Sequence, residues 1–123
     1  MRKEVVQYFS EKDEEFASLL IDIGMKTNVA KVLVFLANAE ESTSRDIERG
    51  IDMRQPEVSL AMKYMAGQGW IMSNEIPSAK KGRPNKKYSL ALPVKDIVAV
   101  IEKNAKNEAI QQLALVKKVR DYI

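Results

Sequence analysis

The chain has 123 residues, 46% of them hydrophobic and 30% charged, which suits one soluble folded domain with a real core and one accessory helix. It contains no Cys and no His, so a disulfide framework, a zinc finger and any chemistry that relies on a thiolate or an imidazole base are excluded. The net charge of +3 conceals an uneven distribution: residues 1–44 carry five basic and eight acidic side chains, residues 45–90 nine and five, and residues 91–123 six and four.

The charged start Met1 to Glu4 is followed by no long apolar run, so no signal peptide is expected. The longest apolar run, Val29 to Ala39, is interrupted by Lys31 and is too short to span a bilayer. A cytoplasmic protein without membrane contact is the expectation.

Residues 1–9 place Val5, Val6, Tyr8 and Phe9 in a polar setting, as an arm that covers the core or a partner chain would. Ser10 opens the run Ser-Glu-Lys-Asp, a capping box, and Glu11, Asp13, Glu14 and Glu15 follow where a helix dipole favours acids. Phe16, Leu19, Leu20 and Ile23 recur at i, i+3, i+4 and i+7, which predicts an amphipathic helix ended by Gly24. Thr27 or Asn28 is expected to cap the next helix. There Val29, Val32, Leu33, Phe35 and Leu36 cover more than half the circumference, so this helix should be the most buried. Glu40 to Ser42 is a short connection able to pair as a small third strand beside a later hairpin.

Thr43 to Ile71 reads as a short helix, a turn and a longer helix that runs into a strand. Thr43 is the expected cap of the first helix, with Asp46 three residues on. Gly50 is expected to stop it in a left-handed conformation. Pro56 sits in the first turn of the second helix, where its missing N–H costs little, and Glu57 suits the helix dipole. On a helical wheel Val58, Ala61, Met62 and Met65 form one face, Leu60, Lys63 and Gly67 point the opposite way, and Ser59 and Ala66 lie on a flank.

Trp70 to Ile76 and Lys86 to Leu90 read as two strands, with Pro77, Gly82 and Pro84 marking the loop between them. Lys80 to Lys87 holds five basic residues and no acid. Pro93 then starts a last long helix, Val94 to about Tyr122, in which Val94, Val98, Ile101, Ala105, Ala109, Leu113 and Val116 form a stripe with heptad-like spacing. Asn104 and Asn107 weaken helix propensity midway and mark a place for a break. The stripe is longer than a domain of this size buries, which makes a second copy of the chain its expected partner.

A helix-turn-helix followed by a β-hairpin with a basic tip is a winged helix. The expected fold class is mainly α with a small β-hairpin, a winged helix-turn-helix with a C-terminal dimerisation helix. Residues 1–92 form the DNA-binding domain with its arm at 1–9, and residues 93–123 the dimerisation helix. The ordered set Gly69-Trp70-Ile71, Gly82-Arg83-Pro84 and Tyr88-Ser89-Leu90 resembles the winged-helix transcriptional regulators of the TrmB and ArsR type. In those families a recognition helix ends in such a glycine step and is followed by a Gly-Arg-Pro wing and a Tyr-x-Leu return strand. The resemblance covers about Met25 to Leu92. It implies a homodimer on double-stranded DNA at an inverted-repeat operator. It brings no metal site, since ArsR-type sites use thiolates and imidazoles.

Within that reading Gln55, Ser59 and Lys63 face base edges, and Leu60 reaches a thymine methyl or a protein partner. Arg54 in the turn and Arg45 at the start of the first motif helix meet phosphates. Arg83 at the wing tip enters a narrow minor groove, with Lys80, Lys81, Lys86 and Lys87 on phosphates. Trp70 reads as core. The pairs Glu14/Glu15 and Glu40/Glu41 are adjacent in sequence and do not face each other on a helix, so no acid–base pair, no enzyme and no cofactor are expected. The rival reading is a winged-helix interaction module within a larger transcription or chromosome-associated assembly.

Overall fold

A computed structural model of the chain describes residues 9–76 and 85–123. Among the described residues five helices and one hairpin follow one another: α1 (Glu11–Asp22), α2 (Thr27–Asn38), α3 (Ser44–Ile51), α4 (Gln55–Gly67), β1 (Ile71–Ile76), β2 (Asn85–Leu90) and α5 (Val94–Arg120). The fold is mainly α with a small antiparallel hairpin, as the sequence predicts. Two compact units divide between Leu92 and Pro93.

The first unit forms around α2. Val29, Ala30 and Val32 to Leu36 are all buried, and Leu33 and Leu36 are among the largest side chains fully removed from water. A helix that is apolar almost all round requires cover on every side. The cover comes from α1, α3, α4 and β2, and α2 packs on each of these elements; the three helices contribute Leu20, Ile47, Ile51, Val58, Met62 and Met65 to the core.

The caps hold where the local chemistry predicts them, with one exception. Ser10 Oγ accepts from the Asp13 N–H at 3.1 Å, and Asp13 Oδ2 accepts from the Ser10 N–H at 2.9 Å. Thr43 and Asp46 repeat this reciprocal arrangement at α3, at 3.1 and 3.0 Å. The exception is α2, whose cap position is Lys26 without a side-chain bond, not Thr27 or Asn28. Asn28 is engaged elsewhere: its Nδ2 donates to the Glu57 carbonyl at 3.1 Å and ties the start of α2 to the first turn of α4.

Gly50 also departs from expectation. It lies inside α3, and the left-handed residue that stops the helix is Asp52 at φ 55°. Packing explains the glycine, because a Cβ there would overlap the ring of buried Phe35 on α2. Gly69, at φ 79°, does end its helix in the left-handed region: the Trp70 N–H reaches Met65 O at 2.9 Å and the Gly69 N–H reaches Ala66 O at 3.0 Å. This turn aims Trp70 into the core, where it is buried and meets Tyr64 edge-on with centroids 5.9 Å apart.

β1 pairs with β2 in the register Ile71↔Leu90 through Ile76↔Asn85, and the Ala91 N–H donates to Trp70 O at 2.7 Å. Ser42 adds the expected third-strand bridge beside β2. Its N–H donates to Tyr88 O at 3.0 Å and its carbonyl accepts from the Tyr88 N–H at 2.8 Å. In the second unit, α5 is an unbroken helix of 27 residues. It runs through Asn104 and Asn107 because strong helix formers surround them and Glu102 pairs with Lys106 at 3.5 Å, one turn on.

Two consequences are measurable. Gly50→Ala gains up to ~1 kcal/mol of helix propensity but overpacks Phe35, which costs about 1–3 kcal/mol. The variant is therefore expected to unfold at lower urea, and Phe35→Leu in the same chain should recover part of the loss. Asp13 has its pKa lowered, chiefly by the Ser10 N–H and further by Asn38 Nδ2 at 2.8 Å. A lowered folded-state pKa means that the unfolded chain binds the proton more tightly, so this stability is present above the ordinary value of 3.8 and is lost as pH falls below it. The cost of Asp13→Ala in urea titrations should be largest at neutral pH and shrink towards pH ~2.5.

Candidate nucleic-acid interface

The local sequence of α4 divides its surface. Val58, Ala61, Met62 and Met65 are buried, and Gln55, Ser59, Leu60, Lys63, Ala66 and Gly67 are exposed. The division follows from 3.6 residues per turn and from the demand of α2 for an apolar neighbour. The start of α4 is held twice. Glu57 Oε1 accepts from the Arg54 N–H at 3.1 Å, and the Glu57 carbonyl takes the Asn28 amide. Glu57 therefore works on the helix start, and Arg54 sits exposed at the cap position.

An open groove of about 320 Å³ runs between α4 and the hairpin. Ser59, Met62, Lys63 and Ala66 line it from α4, and Ile71, Met72, Ser73 and Tyr88 from the strands. Its polar groups are three hydroxyls and one ammonium, with no carboxylate among the described lining residues. Hydroxyls and an ammonium are the donors that contact phosphate oxygens.

The strand register sorts the basic residues of β2. Side chains alternate across a strand, so Ser73, Tyr88, Glu75 and Lys86 share one face and Asn74 and Lys87 share the other. Lys86 thus lies on the face of Tyr88, and Glu75 stands directly opposite it in the ladder. Lys86 and Lys87 point to opposite faces, and the acid-free count over Lys80 to Lys87 omits the carboxylate that pairing brings across. Lys80, Lys81 and Arg83 lie outside the described residues.

Arg45 is exposed in the first turn of α3, as expected, and Arg49 is exposed one turn further on the same side. Arg49 is a candidate that the sequence reading missed, although its i+4 spacing from Arg45 was legible. Ser73 and Tyr88 are further additions to the groove, and no local signal marks them. Among the described residues no group of three metal-binding side chains occurs, and no helix is long and apolar enough to cross a membrane.

No family model and no curated protein matches the chain. Among solved structures, it is similar to a MarR family regulator from Neisseria meningitidis, with TM-score 0.50 and 19% identity over 88% of this chain and 84% of that one. It is also similar to MepR, a transcription regulator of the Staphylococcus aureus multidrug efflux pump MepA, with TM-score 0.51 and 15% identity over 90% and 89% of the two chains. A mutant of MepR from a multidrug resistant clinical isolate gives TM-score 0.54 and 17% identity over 84% and 73%. At these identities the likeness shows a shared winged-helix fold. These neighbours carry MarR-family and MepR names and do not single out the TrmB or ArsR type that the motifs suggest. The Gly-Trp-Ile, Gly-Arg-Pro and Tyr-Ser-Leu motifs encode a helix stop, a loop and a return strand, which is turn chemistry that does not separate one winged-helix group from another.

The exposure of α4's outer side chains sets an expectation for stability. Gln55→Ala, Ser59→Ala and Lys63→Ala should each shift the unfolding free energy by less than about 0.5 kcal/mol. A larger loss in urea titration would place that side chain in the packing and not on the outer face.

Proposed function

We propose that the chain is a DNA-binding transcriptional regulator that acts in the cytoplasm as a homodimer on an inverted-repeat operator and performs no catalysis. Residues 1–92 are its DNA-binding part and residues 93–123 its dimerisation helix. In this reading α4 enters the major groove, and Gln55, Ser59 and Lys63 meet base edges. Arg45, Arg49 and Arg54 hold phosphates on either side of the turn. The hairpin lies over the neighbouring backbone and minor groove, with Lys80, Lys81, Lys86 and Lys87 on phosphates and Arg83 in the groove.

The observation that carries the reading is the outer face of α4 together with the groove beside it, where no described lining residue is a carboxylate. Helix and hairpin present hydroxyl and ammonium donors on one concave surface, as a polyanion of groove-like shape requires. The likeness in fold to MepR and to a MarR family regulator adds support, since both are described as regulators.

The dimer reading rests on α5. The helix is about 40 Å long at 1.5 Å per residue. Val98, Ile110, Leu113, Val116 and Val119 are all exposed, at 38 to 66% of their full surface. Of the expected stripe, Val94 and Ile101 are half-buried, whereas Ala105 and Ala109 are exposed and small enough to admit a neighbouring helix. Ile110, Leu115 and Val119 lie off the stripe, so the C-terminal half is apolar on more than one side. A second copy of α5 would bury this surface at roughly 25 cal/mol per Å².

A second reading, an interaction module, is favoured by one feature: Leu60 and Tyr64, one turn apart on α4, are 64% and 47% exposed. The two readings separate on DNA. From a random duplex library the protein should select an inverted repeat with half-sites one turn apart, ~34 Å, or a multiple of it. Leu113→Asp with Val116→Asp should yield a monomer in sedimentation that has lost most affinity for the full repeat and keeps weak, salt-dependent binding. Selection of no duplex would leave the interaction module, and a double variant that binds the full repeat at full strength would remove α5 from the dimer.

A further inference from the structure

We propose that Leu60 is a sequence-reading residue that recognises the C5-methyl group of thymine in the major groove. This rests on the reading of α4 as a major-groove helix. Leu60 lies two positions from buried Val58, about 200° around the helix, and so stands near the centre of the outer face. It is 64% exposed, which leaves most of an isobutyl group in water.

Among the described residues nothing rises high enough on α4 to cover it. Pro56, Lys63 and Gly67 share the outer face with it, Ser59 lies on the flank, and all but Lys63 are short. Tyr64, one turn on, is turned edge-on to the Trp70 ring. A Cβ added at Gly67 would meet no atom within 4 Å. Leu60 and Lys63 therefore protrude above a low surface that allows a close approach of the helix backbone to its target.

The setting is polar, which favours a duplex over an apolar protein surface. Lys63 lies three residues on and Glu57 three residues back, where its carboxylate accepts the Arg54 N–H. An apolar side chain set among polar and charged neighbours matches a target that is polar except at isolated apolar points. In the major groove the apolar feature of the base edges is the thymine methyl, and aliphatic side chains pack on it. Leu60 thus selects thymine at a position in each half-site where Gln55, Ser59 and Lys63 supply the polar contacts.

The test uses the full-length protein and the inverted-repeat duplex that it selects. Each thymine is replaced singly by deoxyuridine, which removes one methyl group and leaves every hydrogen-bonding edge unchanged. At one or two positions per half-site the substitution should weaken binding about fourfold, the value of burying one methyl group. Leu60→Ala should lower affinity for the thymine duplex and abolish the difference between the two duplexes. Lys63→Ala should lower affinity for both and preserve the difference. Binding that is equally strong on every deoxyuridine duplex, or a methyl preference that survives in Leu60→Ala, overturns the assignment while leaving DNA binding intact. Failure to select any duplex overturns the major-groove reading and this assignment with it.

Discussion

The enclosure of α2 is the constraint on which the first unit depends. A 12-residue helix with seven buried side chains is stable in water only when other elements surround it. α1, α3, α4 and β2 do so, and the three helices turn Leu20, Ile47, Ile51, Val58, Met62 and Met65 inward to take part. Leu33 and Leu36 are the centre of that packing, and truncation of a buried leucine to alanine costs about 2–5 kcal/mol. The close approach of α3 to α2 is part of the same arrangement. It is possible because position 50 has no side chain to strike Phe35.

The candidate interface is a by-product of this packing. Once α4 has turned Val58, Met62 and Met65 towards α2, its opposite face is committed to solvent. The left-handed turn at Gly69 then sends the chain directly into β1, so the hairpin stands beside α4 and the groove between them forms. Trp70 anchors the junction from below, with Tyr64 against its ring. Few degrees of freedom remain: the helix start is tied to α2 through Asn28, its end is fixed by the glycine turn, and Tyr88 is bridged to Ser42.

The acids are placed so that they reinforce this division. Asp13, Asp46 and Glu57 each occupy the third position of a helix, where the carboxylate accepts the backbone N–H of the cap residue. A carboxylate held in that way supports the helix start. Glu75 is different: it stands in register with Lys86 and lowers the positive charge at that end of the hairpin.

The elements themselves were legible in the sequence because their signals are local. The spacing of Phe16, Leu19 and Leu20, the capping boxes at Ser10 and Thr43, Pro56 in a first turn and the Gly69 stop each depend on residues within one or two helical turns. The buried and exposed faces of α4 follow from the same periodicity, which by itself puts Leu60 and Lys63 on the outer face and Ser59 on its flank. Local signals also misled where a residue served a distant partner. Gly50 looked like a helix stop and is a packing position against Phe35, and Asn28 looked like a cap and reaches Glu57. The groove lining by Ser73 and Tyr88 and the opposition of Glu75 to Lys86 were decided by strand register, whereas the separation of Lys86 from Lys87 follows from the alternation of any strand. Register joins residues more than ten positions apart through a hairpin whose pairing no short-range pattern specifies, and a shift of one residue would exchange the two faces.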